Sequence, residues 1–138
     1  MNTRPARLDG GDLGAVLGLA ALAPLLLWRL AFAGQILQGP DAFAYFYPLL
    51  EYAADRLLAG DLPLWNPYLF MGAPFLANPQ AGVFYPLHWL LAWLPAPSLV
   101  SATLMLHYAL AAVGMYLLVR IGLGRGRWSA IAGALVYA

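Results

Sequence analysis

Five side chains in one stretch of the sequence have the chemistry for acid–base work: Asp41, Glu51, Asp55, Asp61 and His88. Asp41 is the best placed. It follows Gly39-Pro40 and opens a mixed region directly after an apolar run. A carboxylate at such a boundary sits in a lowered dielectric that perturbs its pKa and suits a general base. The same position also suits a helix N-cap, and the residues leave both readings open. Metal binding would rest on Asp41 with Glu51, Asp55 or Asp61, which is not a ligand pattern, so no metal ligand is assigned. The sequence has no HExxH motif and no nucleophile elbow. The glycines of Gly122–Gly126 (GLGRG) have no lysine-serine pair after them and no strand before them, so they are not a phosphate loop.

The elements that must position these residues follow from hydropathy. Of the 138 residues, 63% are hydrophobic and 9% charged, well below the share of about 25% usual in soluble domains. The net charge of +1 gives no field for nucleic acid. The chain has no cysteine, which excludes disulfides. Two uncharged or nearly uncharged runs of 22 residues, 13–34 and 98–119, would each rise about 33 Å as a helix, enough to cross a bilayer. Arg29 in the first run would snorkel to an interface, and His107 lies near the middle of the second.

Between them, residues 35–97 form a loop with its own structure. The spacing of Phe43, Phe46, Tyr47, Leu50, Ala54, Leu57 and Leu58 predicts an amphipathic helix over about 42–59. Glu51 and Asp55 lie on its wet face, Asp41 at its start and Gly60 at its stop. Five prolines break residues 61–86, yet the stretch is rich in aromatics, so it reads as an ordered loop rather than a linker. Residues 87–94, bracketed by Pro86 and Pro95, read as a short re-entrant or interfacial helix. Arg4 and Arg7 on one flank, and Arg120, Arg125 and Arg127 on the other, place residues 1–12 and 120–128 in the cytoplasm and the loop outside. Residues 129–138 read as the start of a third span, which makes the chain an N-terminal fragment. The expected fold class is therefore all-α: a polytopic transmembrane helical protein with an irregular outer loop containing interfacial helices.

Gly60 to Pro67 (GDLPLWNP), Gly72 to Phe75, Asn78 to Gly82 and Phe84-Tyr85-Pro86 carry a resemblance. From residue 13 or so onward the chain resembles the YfhO-like bacterial membrane proteins, which lie close to the GT-C type glycosyltransferases that use polyprenyl-phosphate sugars. The resemblance implies a multi-pass protein of the bacterial inner membrane with its N-terminus in the cytoplasm. It also implies an enzyme that moves a sugar from a polyprenyl-phosphate carrier to a cell-envelope glycan or polymer acceptor. Asp41 would be its catalytic base. Arg56, the one basic residue of the loop, would face phosphate, with room for a divalent metal. Trp65, Asn66 and Tyr68 would line a glycan or lipid groove, or else hold the loop together. Membrane lipids and a lipid-linked sugar are the implied partners, and nucleic acid is not. A transporter or flippase of a lipid-linked substrate, and a non-catalytic envelope-assembly protein, are the alternatives.

Overall fold

The computed structural model describes residues 8–138; Arg4 and Arg7, with the charge argument resting on them, lie outside the described residues. In chain order the elements are α1 (Gly10–Leu26), α2 (Trp28–Phe32), α3 (Tyr47–Leu58), β1 (Trp65–Asn66), β2 (Ala73–Pro74), α4 (Pro86–Leu91), α5 (Ala96–Leu117) and α6 (Arg127–Tyr137). π-Helical turns precede α3 (Ala42–Phe46) and follow α5 (Leu118–Gly122). Pro79–Ala81 is a 3₁₀ turn. The chain divides into two units: residues up to Gly34 with Leu104–Ala138, and Gln35–Thr103.

The first unit packs α1, the later part of α5, and α6. Its core is Leu19, Ala112, Tyr116, Ala130 and Ala134. At α1's N-terminus Asp9 and Asp12 form a reciprocal capping box: Asp9 Oδ1 accepts from the amides of Gly11 and Asp12, and Asp12 Oδ2 accepts from Asp9. Asp12 does more than cap. It is only 1% exposed, and a carboxylate in such a place must be met by donors. Arg120 supplies two, Nε at 2.9 Å and a terminal nitrogen at 3.2 Å. The Tyr116 hydroxyl donates at 2.5 Å and Arg127 Nε at 3.4 Å. Arg127 also pairs with Asp9. Gly11 lies beneath the Arg127 guanidinium, where an added Cβ would collide with it.

The cluster settles the protonation states. The Arg120 hydrogen bonds, seconded by Tyr116, hold the Asp12 carboxyl well below the usual carboxylate range. Burial, reinforced by the bond to Asp12, pushes the Tyr116 phenol up, so it stays a donor. The bond to Asp12 raises Arg120.

The second unit is built around α3, with the tail of the loop and the start of α5. Leu49 and Ala53 of α3 pack with Phe75, Ala81 and Val83. Tyr47 and Leu50 pack with Ala96 and Leu99. The amphipathic stripe read from sequence is therefore only partly right. Tyr47, Leu50 and Ala54 are buried, but Phe43, Phe46 and Leu58 are exposed, because α3 is covered on two faces rather than one. Pro48 is the second residue of α3, directly after the π-helical turn that runs into it. Glu51 is exposed but not merely wet: its Oε2 accepts from the amide of Ala96 at 2.9 Å and caps the start of α5.

The expectation of a polytopic transmembrane bundle is corrected. Among the described residues one helical stretch, Ala96–Gly122, is long and apolar enough to cross a membrane, and one such helix is weak evidence. The first apolar run is not continuous. α1 ends at Leu26, Leu27 leaves helical geometry, and only five residues of α2 follow. Pro24 lies inside α1, and the helix passes through it before ending at Leu26. Two of the arginines counted as flanking charge, Arg120 and Arg127, are committed to Asp12 and Asp9. The chain is mostly helical, with buried ion pairs, and the multi-pass topology derived from those charges falls with them.

Replacing Tyr116 with phenylalanine removes one hydrogen bond to a charged acceptor and should cost about 1.5–3 kcal/mol in chemical denaturation. Asp12→Asn should cost more, because Arg120 is left without its partner. The Asp12 carboxyl is depressed in the folded state, so its contribution is complete above about pH 4 and is lost as pH falls toward the folded value. An acid titration followed by far-UV circular dichroism should show that loss in the native chain and a much smaller one in Asp12→Asn.

Candidate functional site: an apolar groove

In the first unit the half of α1 remote from Asp12 opens into a groove. Leu19, Leu22, Ala23 and Leu26 recur at three- and four-residue steps, so they form one face of α1. Tyr108 and Ala112 face them from α5, and Ala134, Leu135 and Ala138 from the α6 side. The volume is about 270 Å³, just under the lower end of ordinary ligand pockets, which begin at roughly 300 Å³.

The floor is made of one leucine and three alanines. Leu19, Ala23, Ala112 and Ala134 are all buried. The rim is made of large exposed ones: Leu26, Leu135 and Tyr108 are 72%, 52% and 44% exposed. Alanines at three facing positions, rather than leucines, leave the hollow. Tyr108 brings the one polar side chain among the lining residues. The lining side chains include no carboxylate, imidazole or basic group, so they can bind an apolar body but offer no acid–base pair.

The residues singled out from the sequence lie in the second unit. Asp41 is exposed, has right-handed helical backbone angles (φ −68°, ψ −34°) and makes no side-chain cap bond. The turn begins instead at Gly39, whose carbonyl accepts from Phe43 at 3.2 Å. Arg56 pairs with Asp61 at 3.1 Å, both well exposed, at the C-terminal end of α3. These two are not brought together with the rest.

Trp65, Asn66 and Tyr68 do come together, on a small antiparallel hairpin in which Trp65 opposes Pro74 and Asn66 opposes Ala73. Asn66 is buried and its Oδ1 accepts from the Tyr68 amide at 2.9 Å, an Asx turn. The Trp65 carbonyl accepts from the Tyr52 hydroxyl at 2.7 Å, and the Tyr52 ring meets Tyr68 edge-on. The hairpin tip is strained. Phe70 (φ 50°) and Met71 (φ 61°) are consecutive left-handed residues, each of a type for which that region costs of order 1–3 kcal/mol. Gly72 follows at φ 118°, with the Trp65 ring against the place a Cβ would occupy.

Further along, His88 Nδ1–H donates to the Gly82 carbonyl at 3.0 Å. Burial lowers its pKa from the ordinary imidazole value. No three His, Cys, Asp or Glu side chains gather to hold a metal ion among the described residues.

No protein family, curated protein or solved structure matches this chain. The resemblance to YfhO-like proteins is thereby overturned, and what it implied is withdrawn: sugar transfer of the GT-C type, the transport and envelope-assembly alternatives, and the inner-membrane location. Those readings needed a spanning bundle, and among the described residues one helix is long and apolar enough to cross a membrane.

The groove and the ion cluster were both missed in the sequence. The cluster left one signal, an Asp-x-x-Asp ahead of an apolar run, which is the mark of a capping box. The groove left only alanines at helical spacing, which read equally as packing.

Gly72→Ala should destabilise the second unit by about 1–3 kcal/mol, from backbone strain and from displacement of the Trp65 ring. Denaturation followed by tryptophan emission measures it. His88 has a depressed folded pKa, so its neutral form stabilises the fold fully above about pH 6.5 and that contribution falls as pH drops below it. His88→Gln should flatten the stability profile below about pH 6.5.

Proposed function

We propose that this chain is a non-catalytic binding module that takes the alkyl chain of a single-tailed amphiphile, such as a fatty acid or lysolipid, in the groove of its first unit. The observation that carries the reading is the groove itself: a floor of one buried leucine and three buried alanines, a rim of exposed leucines, and a single polar side chain, Tyr108, at its edge. Of the partners expected from the sequence, only the lipid is carried forward.

Affinity for such a ligand comes from burying methylenes, at about 0.8 kcal/mol each, or roughly fourfold in Kd per carbon. Leu19 to Leu27 span about 12 Å along α1, and carbons beyond that length gain nothing. Short chains should bind at millimolar Kd and the longest that fit no tighter than micromolar, since ordering the ligand offsets part of the gain.

The test is a series of saturated fatty acids of increasing length, titrated by calorimetry. Expected is tightening with each carbon, then a plateau, and loss of binding in Leu22→Trp, which fills the groove. Chain-length-independent binding, or undiminished binding by a folded Leu22→Trp variant, would sink the proposal.

A further inference from the structure

The hairpin tip of the second unit combines two unusual features. Phe70 and Met71 hold left-handed backbone angles that neither residue favours. Their side chains are nonetheless 87% and 103% exposed. The geometry is fixed from below: β1 pairs with β2, Asn66 closes an Asx turn, Leu69's carbonyl accepts from the Gly72 amide at 2.7 Å, and Leu64's from Phe75 at 2.9 Å. Here the scaffold presents them to the outside.

The surroundings decide what they meet. No Asp, Glu, Lys or Arg occurs from Leu62 to Val119. The exposed neighbours in sequence are Leu62, Leu64, Trp65 and Tyr68. A protein partner is normally received by an apolar centre inside a polar rim; the stretch that carries this tip holds no charge, and the charges next to it in sequence, Arg56 and Asp61, pair with each other. Aliphatic and phenyl groups at the apex, with indole and phenol rings behind them, match the gradient of a lipid–water interface.

We infer that the Phe70–Met71 tip is an insertion wedge for the surface of a lipid bilayer. Two side chains enter the acyl region, and Trp65 and Tyr68 lie at headgroup depth. The inference goes beyond the groove reading and does not require the groove to be filled. Lacking charge, the wedge should not distinguish zwitterionic from anionic lipid.

The chain has no cysteine, so Met71→Cys can carry a single environment-sensitive fluorophore. With phosphatidylcholine vesicles the label at 71 should brighten and shift to the blue, while the same label on Asp41→Cys should not. The unlabelled double variant Phe70→Asn/Met71→Asn keeps residues that tolerate left-handed angles. It should partition to the vesicles at least tenfold more weakly than the native chain, with an unchanged circular dichroism spectrum. An unresponsive label at 71, native-like partitioning of the double variant, or failure of the native chain to bind vesicles each overturns the inference, the last in favour of a protein partner.

Discussion

The Asp12 carboxylate is the constraint on which the first unit depends. A buried charge cannot be left to itself, and α1 cannot answer it alone. Tyr116 and Arg120 come from the end of α5 and its π-helical extension, and Arg127 from the start of α6. Their bonds to one carboxyl fix the heights of three helices relative to each other. Once those heights are fixed, Ala23, Ala112 and Ala134 fall together, and the hollow between them is a consequence of register. The two ends of these helices thus differ in kind: one is closed by charge, the other left open by small side chains.

The second unit is held differently. Side-chain donors there go mainly to backbone carbonyls. Tyr47 reaches Leu37 at 2.6 Å, Tyr52 reaches Trp65, and Trp89 Nε1 reaches Val83 at 2.5 Å. Irregular backbone has carbonyls with no ladder to occupy them, and phenols and indoles satisfy them from one polar atom while packing with the rest of the ring. That explains why a proline-broken segment can be both aromatic and ordered. The Asn78 amide, donating to the Tyr45 hydroxyl at 2.8 Å, ties the same segment back to the turn before α3.

Sequence reasoning reached the local features and missed those that depend on distant residues. A helix occurs at Tyr47–Leu58 and another at Pro86–Leu91, where periodicity and bracketing prolines suggested helices. Trp65, Asn66 and Tyr68, singled out for a glycan or lipid groove or for holding the loop, lie on one hairpin. The larger inferences failed where they treated residues as independent. Arginines were counted as free charge although Arg120 and Arg127 find carboxylates more than a hundred positions away. Hydropathy was summed over 13–34 although the helix breaks at Leu27 within that run. Asp41 looked like a cap, but Gly39-Pro40 starts the turn earlier and leaves it on the outside. None of these pairings has a spacing signature. Only the tertiary fold reveals them.

The exposed Met71 has a chemical consequence of its own. A thioether with no cover is open to oxidation, and its sulfoxide is polar and chiral where the parent was apolar and flexible. Because the backbone at this position is fixed, the oxidised side chain cannot retreat into the unit. A single oxygen atom would therefore change the solvent preference of the hairpin tip without disturbing the fold beneath it, and reductase repair would restore it. The most exposed large hydrophobic side chain of the second unit is in this sense also its most chemically adjustable one.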